Sequence, residues 1–387
     1  MDLTTLLAAI AIAFGLLTVD TIRRADRVNV EVGEIPRMDK ASIDRITIEQ
    51  EFARQLNNIA SVFSIVAPPE IKTHRDIGIM QAIASSLKID GLTQAMEADL
   101  GYRTDRLRLS LVNDNGVLQG VVSGTGGRLG QFQQVLVRNE GEPLLDFIRR
   151  CSLVGATYLA PYRTTLFLIQ ESIKTGDYSM PKRISARAKS YLPPTPISFE
   201  RSRLLNLDGI IALMEKDVKS AMDLFKQAVT SNPENVVAQL NAAFTEVEID
   251  QYAEADARML RLMAENMPDN PILQSTVYMT RAAAQLGLKN SVEADALLEM
   301  ATSINPKNSS AWHLWGDTKM VLGDKEASDR MRRRAFDESD SPENYAEVAT
   351  LYLQLAWQDG SPMARSPFRN PLLNPAHRGY GSRTNAE

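Results

Sequence analysis

Apolar and polar positions divide this chain into a strand-bearing part and a long helical part. Residues 28–32 (VNVEV) alternate and predict a short strand. From 48 to 65 the apolar positions Phe52, Leu56, Ile59, Val62 and Phe63 recur at helical spacing, which puts them on one face. Pro68 and Pro69 are expected to stop that helix, because proline lacks an amide donor and crowds the preceding turn. Two shorter helices are expected at 77–87 and 92–100. Alternation returns at 107–112 (LRLSLV), passes through Asn113-Asp114-Asn115-Gly116, and leaves as VLQGVVSG. Asn-Gly favours a tight hairpin because both residues accept positive φ. A further strand is predicted at 134–137, then helices at 143–157 and 161–172. The expectation is a small α+β domain over 28–175, joined to the helical part by a linker at 176–201. This combination of hairpin and helices carries no family resemblance.

The chain starts with an apolar run. Residues 3–19 (LTTLLAAIAIAFGLLTV) hold no charge in 17 positions, and a helix of that length spans roughly 25 Å, at the short end for a bilayer. A cleaved signal peptide would carry its positive charge before the apolar core. Here Asp2 precedes the core, and Arg23, Arg24 and Arg27 follow it. The reading is therefore an uncleaved transmembrane anchor at 1–24, with membrane contact through 3–22. The arginines place the bulk of the chain on the cytoplasmic side by the positive-inside bias. The expected location is a single-pass position in a bacterial inner membrane.

The C-terminal half has a beat of about 34 residues. Leu205, Gly209, Ala212, Asp217, Ala221, Phe225, Ala228 and Pro233 fall in order in one segment. Trp312, Trp315, Gly316, Gly323, Asp324 and Ala335 fall at matching offsets in another. This pattern resembles the tetratricopeptide repeat. The resemblance implies a mainly α protein whose C-terminal part is an α-solenoid. Four helix pairs are counted at about 202–235, 236–271, 272–308 and 309–342. A further helix at 345–358 stands where a capping helix would, so the repeat domain is expected over 202–358. Gly209 and Gly316 are expected where the two helices of a pair meet, and Ala221 and Ala228 where neighbouring pairs touch. Pro233, Pro268 and Pro306 close the second helices. Ala243 replaces the usual glycine in the second repeat. An insertion is expected near Leu286-Gly287 in the third.

The resemblance also implies a partner-binding groove lined by the first helix of each pair. Carried over residue by residue, the groove positions are Arg203, Asn206, Ile210, Leu213 and Met214 in the first repeat. In the second they are Val237, Leu240, Phe244, Val247 and Glu248, and in the third Met279 and Ala283. Ser310, His313, Asp317, Met320 and Val321 follow in the fourth. An asparagine at the position of Asn206 can clamp a peptide's backbone or terminal carboxylate, and only the first repeat has one there. The mixture is mainly apolar, which favours an amphipathic or extended peptide over an acidic tail. The alternative is that some of these residues pack on the middle domain or the cap.

Composition narrows the chemistry. A net charge of -5 disfavours a nucleic-acid partner, which usually meets a basic domain. One cysteine, Cys151, lies in an apolar helical pattern, so it reads as a small buried hydrophobe and excludes an internal disulfide. His74, His313 and His377 are the only histidines, and none has a second ligand at metal spacing. A Cys151–His74 nucleophile pair is a minor alternative, and no catalytic motif, cofactor or metal site is expected. Glycine-rich 123–130 follows a strand but does not open a helix, as a phosphate cradle requires. It reads as a connection between strands, with an anion or peptide contact through Arg128 as the alternative. Arg330, Arg332, Arg333 and Arg334 are flanked by Asp329, Asp337 and Glu338, so they read as solvated surface, with lipid headgroups or an acidic partner as the alternative. The tail 359–387, rich in Pro and Arg, is expected to be disordered. Three functions stay open: a membrane-anchored scaffold or assembly factor, a membrane-bound enzyme or ligand-sensing regulator with its site in 28–175, and a self-associating solenoid.

Overall fold

The Asn-Gly hairpin forms as its residue types require. Strand β3 (Asp105–Asp114) turns through Asn115 (φ 52°) and Gly116 (φ 85°) into β4 (Val117–Thr125). Asp114 pairs with Val117 and Leu109 with Val122 in antiparallel register. Strands β1 (Arg27–Val32), β2 (Lys72–Thr73) and β5 (Phe132–Val137) complete a sheet of order β2-β1-β3-β4-β5, with β1 parallel to both β2 and β3. These elements belong to a computed structural model that describes residues 27–33, 35, 45–62, 64, 72–73, 105–125, 131–192, 199–338 and 340–349. The expected membrane span, the helices at 77–87 and 92–100, His74, Arg128 and the tail 359–387 lie outside the described residues. Among the described residues, no helix is long and apolar enough to cross a membrane.

Two units divide the chain: 1–62 with 68–164, and 63–67 with 165–387. In the first, alternation along β3 buries Leu107, Leu109 and Leu111 and exposes Arg106 and Arg108. Helices α1 (Arg45–Ala60) and α2 (Leu144–Leu159) bring Phe52, Leu56, Phe147 and Ile148 into the same core. Helix α1 ends at Ala60, well before the prolines expected to stop it. The Arg163 guanidinium donates to the Ala60 carbonyl, satisfying an end group that the helix cannot satisfy itself.

The glycine-rich strand end has a packing cause. A Cβ on Gly120 would lie 2.7 Å from Cys151 Sγ, and one on Gly124 would lie 2.1 Å from the Phe132 ring. That ring stacks on Tyr158 at 3.7 Å between centroids. Cys151 itself is fully buried, and burial pushes its thiol up to about 12. It stays protonated and is no nucleophile at neutral pH.

The second unit is helical, beginning within α3 (Pro161–Ser172). The expected linker 176–201 instead holds helix α4 (Ser179–Tyr191). Two charge pairs tie it to α5 (Phe199–Met214) and the turn after it: Lys189–Asp208 on the helix, and Lys182–Glu215 at 2.8 Å just past its end. The sequence signals linker there because the buried stripe of this polar helix is narrow, with Ile184, Ser185 and Ala188 among its interior positions. Then follow α6 (Val218–Ser231), α7 (Val236–Glu248), α8 (Tyr252–Glu265), α9 (Pro271–Gly287), α10 (Ser291–Ile304), α11 (Ser309–Val321) and α12 (Lys325–Asp337). They form four helix pairs, and the first helices α5, α7, α9 and α11 pack in succession.

The local rules repeat in each pair. A left-handed residue links the two helices: Lys216, Asp250, Lys289 and Gly323, spaced 34, 39 and 34 residues apart. Side chains of Asp217, Asn235, Asn270, Asn308 and Asp324 accept hydrogen bonds from the first-turn amides of the helices they precede. Each such cap contributes about 1 kcal/mol. Ser202 donates to the Ala228 carbonyl and accepts from Asn235, while Ser275 donates to Ala301 and accepts from Asn308. Ser275 is therefore the counterpart of Ser202, and each stands 14 residues before its left-handed residue. The extra residues of the long repeat thus precede Ser275, in the turn after α8 and the added first turn of α9. The expected insertion at Leu286-Gly287 is corrected. Gly287 is instead a close-packing position, where a Cβ would lie 2.3 Å from the Tyr252 ring.

The expected capping helix is also corrected over its described part. Residues Pro342–Tyr345 form a single 3₁₀ turn and 346–349 continue as turns. They hydrogen-bond to the first two repeats and do not continue the helical stack.

Candidate functional site

The first helices position the expected groove residues on adjacent turns, but bury them unequally. Ile210, Phe244 and Met279 are at most 1% exposed and serve the interior. Arg203, Met214, Glu248 and His313 are half-buried, and Met320 is 37% exposed. Leu213, Val237, Leu240, Val247, Ala283 and Ser310 are buried, whereas Val321 is exposed. Truncating Phe244 would therefore disturb folding as well as binding.

In the last repeat the site residues engage α12. His313 meets Phe336 edge-on at 5.5 Å, and Asp317 accepts from Arg332 at 2.7 Å. Burial, and then the neighbouring Arg332 charge, push the His313 imidazole down to about 4. Burial outweighs the pull of Arg332 on Asp317 and raises that carboxyl to about 6. Arg334 pairs with Glu338 at 2.5 Å. Two members of the arginine run thus have acidic partners within the unit.

Polar ties also cross between helices. Glu246 accepts from Arg258, Asp256 from Arg281 and Gln285, and Asp295 from Trp315 and Lys319. They join α7 to α8, α8 to α9 and α10 to α11, fixing the rotation of each helix against the next. Among the described residues, no group of three or more His, Cys, Asp or Glu is placed to hold a metal ion.

Asn206 lies at the centre of the most specific arrangement. It is 3% exposed and meets Asn241, a residue of α7 that the groove positions omit. Asn241 Nδ2 donates to Asn206 Oδ1 at 2.8 Å and to the Glu347 carbonyl at 2.9 Å. Asn206 Nδ2 donates to the same carbonyl at 3.2 Å, and the Ala349 amide donates to Asn241 Oδ1 at 2.9 Å. The expectation that Asn206 can hold a peptide backbone meets a backbone from its own chain. The only signal for Asn241 was its residue type one position later in the repeat frame.

Capped helix pairs, a left-handed link in each, and the close approach of Gly209 to Phe225 and of Gly316 to Arg332 in the first and last pairs define a helical-repeat solenoid. The family model described as Tetratricopeptide repeat matches residues 212–277. The C-terminal region of this chain belongs to the tetratricopeptide-repeat superfamily. Several solved structures are similar. One is MamA 41-end from Desulfovibrio magneticus RS-1, at 13% identity, covering 46% of this chain and 94% of that one, with a TM-score of 0.35. Another is Pseudomonas aeruginosa pilF, at 15%, 52%, 85% and 0.38 in the same order. A tetratricopeptide repeat protein from Parabacteroides merdae gives 14%, 55%, 80% and 0.38. These likenesses carry no argument about partners. No curated protein matches the chain.

Proposed function

We propose that this protein is a membrane-anchored scaffold or assembly factor that captures a partner protein on the first-helix face of its repeats. The observation that carries this reading is four successive first helices, three of which present Arg203, Met214, Glu248 and Met320 beside a buried apolar row. A rigid face of mixed apolar and charged groups fits an amphipathic or extended segment of a partner. An acidic tail would need several cationic side chains there. The fold is typically a non-catalytic one, and its wide use leaves the partner to be set by the face itself.

The uncharged run at 3–19 and the arginines after it support an anchor in a bacterial inner membrane, with the repeats on the cytoplasmic side. Anchoring would raise the effective concentration of the face for membrane-bound partners.

The test is co-purification from solubilised membranes with the full chain and its Arg203→Glu/Met320→Glu variant. The variant is expected to keep its circular dichroism and lose partners that the wild type retains. An unchanged partner set would refute the face. Deleting residues 1–24 is expected to move the chain from the membrane to the soluble fraction; a wild-type chain already soluble would refute the anchor. Size measurement in mild detergent separates partner capture from self-association, which requires more than a monomer.

A further inference from the structure

Toward residues 345–349 the two asparagines read main chain only, and they also bond each other. Their four hydrogen bonds use both protons of Asn241 Nδ2, both carboxamide oxygens, the Glu347 carbonyl and the Ala349 amide. A carbonyl with two lone pairs accepts from two carboxamides, and an amide two residues later returns a proton to one of them. The contact spans 106 to 141 residues of sequence, so no local rule places it.

The segment that supplies this carbonyl and amide has the form of a docked peptide. Residues 345–349 are each at most 2% exposed. Tyr345 anchors one end, with its hydroxyl accepting from Asn305 Nδ2 at 3.2 Å. Ala346 and Ala349 bring small side chains to the buried stretch. Among the described residues, its own backbone contributes the bond from the Val348 amide to the Tyr345 carbonyl at 2.9 Å. Leaving would break the three hydrogen bonds to the asparagines and the Tyr345 anchor, and an incoming segment could restore the same contacts.

We infer that residues 345–349 are a built-in ligand of the Asn206–Asn241 pair, and that the captured partner inserts a main-chain segment of the same chemistry in their place. Such a segment offers a carbonyl, an amide two residues on, small flanking side chains and an aromatic residue. The strap then sets the affinity of capture, because a site open only part of the time weakens the apparent affinity by that fraction. This deepens the scaffold reading and rests on it for its biological meaning. The two fail separately, since the strap test uses only this chain and the scaffold test uses membrane partners.

The probe is a fluorescein-labelled peptide of residues 340–352, titrated by anisotropy into the full chain. Ala349→Pro removes the amide that Asn241 accepts from, so this variant should release its strap and bind the peptide about tenfold or more tighter than the wild type. Adding Asn241→Ala should abolish that gain, and a peptide carrying Ala349→Pro should bind poorly. Equal binding to wild type and Ala349→Pro, or binding indifferent to Asn241→Ala, overturns the inference. If Ala349→Pro does not fold, hydrogen exchange on the wild type decides. The Glu347 to Ala349 amides should exchange well before those of α5 and α7. Exchange together with those helices makes the segment permanent core and overturns the inference. Peptide binding only through exchange of straps between two copies, seen as a dimer, also overturns it.

Discussion

Gly209→Ala probes whether close helix approach, rather than helix propensity, dictates the repeat glycine. A Cβ there would lie 2.4, 2.7 and 2.8 Å from three atoms of the Phe225 ring. Ordinary carbon contacts are about 3.5–4.0 Å, so ring or helix must yield by roughly 1 Å. Phe225 is fully buried, flanked in sequence by the fully buried Ala221 and Ala228 of its helix. Its ring has no solvent side to move into. Overpacking of this kind costs about 1–3 kcal/mol, while alanine in a helix interior regains about 0.8–1.0 kcal/mol over glycine. The clash is severe, so a net loss of about 1–2 kcal/mol is expected. Gly287→Ala is the control, with an equally short approach of 2.3 Å to the Tyr252 ring. Tyr252 is only half-buried and can swing outward, so that variant should change stability by less than about 0.5 kcal/mol. Urea unfolding followed by tryptophan fluorescence reports the repeats, because Trp312, Trp315 and Trp357 all lie in the C-terminal half. Gly209→Ala should lower the midpoint by about 0.5–1 M at a slope near 2 kcal/mol/M. A Gly209→Ala midpoint equal to or above the wild type, or an equal loss in Gly287→Ala, would refute the packing argument.

Two further outcomes arise from buried groups. The Cys151 thiol, held near 12, should react with a thiol reagent at neutral pH only as the protein unfolds, so labelling should track urea unfolding; rapid labelling of the folded chain would contradict its burial. His313 is depressed from 6.5 to about 4, so its contribution to stability is present above 6.5 and lost as pH falls towards 4. Asp317 is raised from 3.8 to about 6, so its contribution is complete below 3.8 and lost as pH rises through 6. The two nearly offset each other in the wild type. His313→Gln removes the acid-labile part, and its stability relative to wild type should rise by up to about 3 kcal/mol between pH 7 and 4. A difference constant with pH would refute the buried neutral imidazole.

Much of this fold was legible in the sequence because its determinants are local. Alternation placed β3, Asn115-Gly116 placed its turn, and the repeat beat placed four helix pairs and the glycine contacts at Gly209 and Gly316 in the first and last of them. Local signals ended where pairing is long-range. Helix α4 read as linker because its interior stripe, with Ile184, Ser185 and Ala188, is narrow and because Lys182 and Lys189 find their acids 33 and 19 residues on, at Glu215 and Asp208. Helix α1 was expected to run on towards Pro68, yet Arg163 closes it at Ala60.

The groove separates the two levels most clearly. The resemblance to the tetratricopeptide repeat singled out Asn206 as a group able to hold a peptide backbone. Tertiary structure decided that Ile210, Phe244 and Met279 are interior, that Asn241 joins Asn206, and that Glu347 and Ala349 meet them both. The reason is physical. Helix periodicity is written in side chains a few residues apart, whereas this clamp grips main chain, which every residue carries and no sequence pattern distinguishes.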